Sequence, residues 1–93
     1  MNEREGPARD RLLDALLSLK SRQECAALLE DLCTIQEQGD MVKRLEAARL
    51  LDNGANYQDV GRETGMSTAT ISRVNRCLRY GAGGYRTVLD RLK

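Results

Sequence analysis

Apolar residues recur along this chain at intervals of three and four, the period of a helix with one covered face. Leu12, Leu13, Leu16, Leu17 and Leu19 form a first stripe, and Pro7 after Gly6 is suited to open the helix that carries it. Ser21 and Glu24 have the S-x-x-E spacing of a capping box, which predicts a second helix bearing Cys25, Leu28, Leu29, Leu32 and Cys33. Gly39 is predicted to close that helix. Asp40 then caps a third, with Val42, Leu45, Ala48 and Leu51 on its apolar side and Asn53-Gly54 as its stop. Asn56 is placed to cap a helix over Tyr57 to Glu63, and Ser67 one over Thr68 to about Arg79. The run from Gly81 to Gly84 forces a loop before a last stripe of Tyr85, Val88, Leu89 and Leu92. No stretch alternates with the period of a strand, so the pattern predicts six helices and an all-α fold.

At 93 residues the chain is one small domain at most. The expected organisation is a flexible tail over 1–7 and a helical domain over 8–93. Within that domain, 8–55 serve dimerisation, 56–80 form a helix-turn-helix, and 85–93 form the closing helix. The two N-terminal leucine stripes are wide, and a chain this small offers few places to cover both. A homodimer that shares its core is the expected solution. The core must be aliphatic, because three Tyr are the only aromatic residues.

Composition narrows the chemistry. No apolar run reaches the roughly 18 residues of a membrane span, and the first nine residues are charged and polar rather than a secretion signal. A cytoplasmic protein with no membrane partner is expected. The three cysteines, Cys25, Cys33 and Cys77, form no C-x-x-C pair, and Cys25 and Cys33 are expected to be buried core thiols. Without histidine there is no zinc-finger set and no histidine-based triad, so neither metal nor cofactor is expected. Carboxylates fall singly on polar helix faces, and Gly81 to Gly84 lacks the lysine-serine or lysine-threonine pair of a phosphate-binding loop. An enzyme is not expected.

Charge is unevenly distributed. Residues 1–55 hold 8 basic and 11 acidic side chains, and residues 56–93 hold 7 basic and 3 acidic, so a net −3 precedes a net +4. Between Glu63 and Asp90 there is no acidic residue, while Arg73, Arg76, Arg79 and Arg86 fall there. An anionic partner at that end of the chain is implied.

The same region satisfies the stereochemistry of a helix-turn-helix from Tyr57 to Arg76. Gly61 supplies the small residue where two steeply crossing helices meet, and Gly65 supplies a positive φ in the turn. Val60, Met66, Ile71 and Val74 occupy the positions that pack the helices together, whereas Thr64 stands where a larger apolar residue is commoner. Thr68, Ala69, Thr70, Ser72 and Arg73 form a small, hydrogen-bonding, acid-free outer face suited to a major groove. Ser67 lies at the helix start, Arg76 can grip guanine or phosphate, and Gln58 can bond backbone phosphate. Double-stranded DNA is therefore the expected partner. The alternative is a helix-turn-helix module that docks on a larger transcription complex. Tyr80 and Tyr85, on either side of the glycine run, are expected to pack against neighbouring helices.

Over residues 8–93 the chain resembles the tryptophan repressor superfamily, and more closely its YerC/YecD branch. The resemblance is carried by Glu63-Thr64-Gly65-Met66-Ser67-Thr68-Ala69-Thr70-Ile71-Ser72-Arg73 and by Arg76-Cys77-Leu78-Arg79-Tyr80-Gly81-Ala82-Gly83-Gly84-Tyr85. The Y-G-x-G-G-Y ending marks the branch and is absent from the tryptophan repressor proper. The resemblance implies a six-helix intertwined dimer that regulates transcription, with the recognition role on Thr68, Ala69, Thr70, Ser72 and Arg73. It also implies a ligand pocket at Lys43, Arg73 and Val74. Lysine there lacks the flat guanidinium that stacks on an indole, and valine replaces a glycine that makes room for it. Tryptophan is therefore not the expected corepressor, and no other effector is indicated.

Overall fold

The structure is a computed structural model and describes residues 5–93. Six helices account for nearly all of them: α1 (Pro7–Ser18), α2 (Arg22–Leu32), α3 (Ile35–Asp52), α4 (Tyr57–Thr64), α5 (Thr68–Tyr80) and α6 (Gly84–Arg91). No strand occurs among the described residues. The all-α expectation holds. Of the expected 1–7 tail, residues 1–4 lie outside the described residues, and Pro7 is already helical at the first position of α1.

Local chemistry explains most boundaries. Ser21 Oγ accepts from the Glu24 amide at 3.1 Å, and Glu24 Oε1 reaches back to the Lys20 amide at 2.8 Å. Asn56 accepts from the Asp59 amide at 2.8 Å to start α4, and Ser67 accepts from the Thr70 amide at 3.2 Å to start α5. One boundary differs from the sequence expectation. Gly39 does not end α2; it lies inside α3, and Asp40 caps nothing. The break falls earlier, because Thr34 and Glu37 form a reciprocal capping box. Thr34 Oγ1 accepts from the Glu37 amide at 3.0 Å, and Glu37 Oε1 accepts from the Thr34 amide at 2.8 Å. Two capped donors outweigh the roughly 1 kcal/mol that an interior glycine costs a helix. These bonds also hold the Glu37 carboxyl below its ordinary pKa.

The chain divides into two compact units, one ending at Gln38 and one running from Gly39 to Lys93. In the first, neither α1 nor α2 buries any residue, and Leu12, Leu13, Leu16, Leu17, Leu29 and Leu32 are all exposed. The expectation of buried thiols fails here for the same reason: Cys25 is exposed, and Cys33, which follows the last turn of α2, is only half-covered. Cys77, in the second unit, is exposed too.

The second unit holds the core. Ala47, Ala48 and Leu51 of α3 meet Val60 of α4, Ile71, Val74 and Leu78 of α5, and Leu89 of α6. Of the expected stripe on α3, Ala48 and Leu51 are buried, but Val42 is 69% exposed and Leu45 39%, and Ala47 is covered in addition. Small alanines let α3 approach the other helices closely, and Val42 and Leu45 are left outside.

An ion-pair cluster fastens α6 to the end of α3. Arg86 donates from Nη1 and Nη2 to the two carboxylate oxygens of Asp52, each at 2.7 Å, and from Nη2 to Asp90 Oδ1 at 2.7 Å. The bidentate guanidinium holds the Asp52 carboxyl below its ordinary pKa, and the Asp52 and Asp90 carboxylates push that of Arg86 up. Arg79 Nη2 adds a bond to the Leu51 carbonyl at 3.4 Å.

Candidate nucleic-acid interface

Over the expected helix-turn-helix the chain forms α4, a three-residue connection over 65–67, and α5. Gly65 takes φ 73° and ψ 10°, the left-handed conformation that the turn requires. At Gly61 an added Cβ would lie 3.5 Å from the Met66 carbonyl oxygen and 3.7 Å from Ile71 Cδ1. The crossing thus demands a small residue, with room for a methyl and no more. Val60, Ile71 and Val74 are buried at the crossing, and Met66 packs against them partly covered.

Thr64 solves its polar burden locally. Only 8% exposed, it donates from Oγ1 to the Val60 carbonyl at 2.7 Å and accepts from the Met66 amide at 3.2 Å. A hydroxyl at this position therefore leaves no unpaired group behind, and it braces the turn that a larger apolar side chain would only fill.

Packing Ile71, Val74 and Leu78 inward turns the rest of α5 outward. Thr68, Ala69, Ser72, Arg73 and Arg76 are exposed along one side, and Thr70 is half-covered. Gln58 is exposed on α4. Ser67 has its hydroxyl committed to the helix start, where it also shares a 3.0 Å bond with Thr70 Oγ1. No acidic residue stands in the first turn of α5.

The pairing of the cations sorts them. Arg49 pairs with Glu46, Arg62 with Asp59, Arg86 with Asp52 and Asp90, and Lys93 with Asp90. In the second unit, Lys43, Arg44, Arg73, Arg76 and Arg91 have no ion pair among the described residues, and Arg79 bonds only to neutral oxygens. The unneutralised charge thus gathers on α5 and on the first half of the α3 segment in this unit.

Between those two elements lies an open groove of about 570 Å³. Lys43, Arg73 and Val74, far apart in sequence, are brought together in its wall, and Arg44 and Asp40 join them from α3. The sequence reading missed Arg44 and Cys77, although Thr70, Arg73 and Cys77 are spaced three and four apart and so share a helix face. Tyr85 of α6 adds to the lining of the groove. Burial pushes its hydroxyl above the ordinary tyrosine pKa, an effect that nearby Cys77 reinforces and Arg44 opposes, so it stays a proton donor. Tyr85 packs on the core as expected, but Tyr80 does not: it is 87% exposed, because Leu78 takes the inward position on that turn of α5. Among the described residues, no three Cys, Asp or Glu side chains gather as a metal site would need, and no helix is long and apolar enough to cross a membrane.

Comparison with known proteins agrees with this architecture. The family model described as Trp repressor protein matches residues 8–93. YerC of Bacillus subtilis (strain 168), an uncharacterised protein, is 50% identical over 88 residues, which span 95% of this chain and 85% of that relative. The crystal structure of a TrpR-like protein from Eubacterium eligens superposes with a TM-score of 0.92 at 44% identity, covering 99% of this chain and 95% of its own. A solved structure from Staphylococcus aureus gives a TM-score of 0.89 at 43% identity, over 95% of this chain and 88% of its own.

Proposed function

The chain belongs to the Trp repressor family, and from that premise we propose that it is a sequence-specific DNA-binding regulator, acting as a repressor, that reads the major groove with α5. The observation that carries this reading is the outward face of α5. It is small, hydrogen-bonding and free of acid, and its cations Arg73 and Arg76 are left without carboxylate partners. A helix kept only for packing has no use for such a face, whereas a duplex supplies both the base edges and the missing counter-charge. On this reading Thr68, Ala69, Thr70, Ser72 and Arg73 meet bases. Arg76, Gln58 and the α5 start at Ser67 meet phosphates.

The working form is a homodimer. Two helices with no buried residue and six exposed leucines need an apolar partner, and a second copy offers an identical face. It also presents two α5 helices to two half-sites. Tryptophan is not the corepressor: Val74 puts a branched residue in the groove wall, and Lys43, unlike Arg44 and Arg73 beside it, provides no flat guanidinium. Micromolar tryptophan binding by calorimetry would overturn that statement.

The deciding experiment is selection of duplexes from genomic fragments, followed by affinity measured against salt. A two-fold-symmetric site is expected. Arg73→Ala is expected to weaken binding to that site by about 1–3 kcal/mol and to reduce the salt slope by about one unit per subunit. An unchanged affinity in Arg73→Ala would instead favour a module that docks on a transcription complex.

A further inference from the structure

We infer that the groove between α3 and α5 is a seat for a compact dianion, a phosphate or dicarboxylate group. Three of the six cations that lack an ion pair in this unit, Lys43, Arg44 and Arg73, line this one groove, and Asp40 is the single carboxylate beside them. The seat therefore carries a net charge of two positive units. Elsewhere in the unit Glu46, Asp52, Asp59 and Asp90 each pair with an arginine, and the three unpaired cations that share one concavity mark a place left for an external anion. Thr70 and Tyr85 add hydroxyls to its lining, and Val74 and Met66 add apolar surface. The occupant has two sources: a free anionic metabolite, or a backbone phosphate of bound DNA. The second source rests on the proposed DNA-reading function. Because Arg73 lies both in the groove wall and on the outward face of α5, a free dianion neutralises a DNA-facing cation. Its binding weakens the grip on DNA rather than strengthening it.

The test titrates inorganic phosphate into the full chain at about pH 8, where it is mainly the dianion, with sodium chloride holding ionic strength constant. Backbone amide shifts are followed by NMR. Saturable shifts at Met66, Thr70, Arg73 and Tyr85 are expected, with affinity at least tenfold weaker in the double variant Lys43→Gln/Arg44→Gln. Both replaced residues are exposed and unpaired, so circular dichroism should show the variant folded. Shifts that rise without saturating, equally in both proteins, overturn the seat. A second arm uses the selected duplex: phosphate should lower wild-type affinity several-fold and the variant's hardly at all. A salt slope lowered by about one unit per lost cation in the variant assigns the seat to a DNA phosphate, and an unchanged slope assigns it to a free anion. Saturable phosphate binding with no duplex selected would leave the seat standing and remove the DNA-reading proposal. A selected duplex without saturable phosphate binding would do the reverse.

Discussion

Gly81 and Gly84 bound the same short glycine run, yet their environments differ. An added Cβ at Gly81 would lie 2.3 Å from the Cys77 carbonyl oxygen and 3.0 Å from the Cys77 Cα, both backbone atoms that cannot swing away. At Gly84 nothing lies within 4 Å, and the residue is the first of α6. Gly81→Ala is therefore expected to cost about 1–3 kcal/mol in urea unfolding, as the last turn of α5 shifts to make room. Gly84→Ala is expected to be neutral or to stabilise by up to about 1 kcal/mol through the unfolded state. Equal effects from the two would contradict this account. The sequence showed four residues of loop and could not rank them, because the close approach at Gly81 comes from the α5 backbone path rather than from residue type.

At the scale of elements, the connection between α2 and α3 is held by the Thr34–Glu37 box. Thr34→Ala removes the hydroxyl acceptor and is expected to cost about 0.5–2 kcal/mol, read as a lower thermal midpoint. Asp40→Ala, at the cap position that the sequence reading favoured, should leave the midpoint nearly unchanged, because Asp40 lies within α3. A T-x-x-E signal stands in the sequence at Thr34 and Glu37, upstream of the expected stop at Gly39 and unused by that reading. Glycine ends a helix only where the backbone must turn left-handed, and Gly39 takes no positive φ whereas Gly65 does. The caps at Ser21, Asn56 and Ser67 were legible because each depends on a residue three positions away.

Over the whole molecule, the Asp52–Arg86 pair joins residues 34 apart and carries a pH dependence. Arg86 lowers the folded-state pKa of Asp52, so the pair contributes stability above the unfolded carboxyl value of about 3.9 and loses it as pH falls through the folded value below that. Asp52→Asn should be less stable than wild type at neutral pH, and its unfolding free energy should fall less steeply below about pH 4. Parallel acid limbs in urea titrations of the two proteins would remove the pair from the account. The homodimer predicts a solution mass of twice the 10.4 kDa chain by light scattering and a thermal midpoint that rises with protein concentration. A monomer at tens of micromolar would exclude it.

The sequence alone determined the helix count, the three side-chain caps, the left-handed turn at Gly65, and the outward, acid-free face of α5. These rest on forces acting within about one helical turn, and they are written in residues three or four positions apart. Tertiary structure decided what depends on distant partners. Ala47 joins Ala48 and Leu51 in the core while Val42 stays outside, because close helix packing favours small side chains at the contact. Asp52 takes Arg86, leaving Lys43, Arg44 and Arg73 unneutralised in one groove, because charge pairing follows proximity in the folded chain rather than order along it.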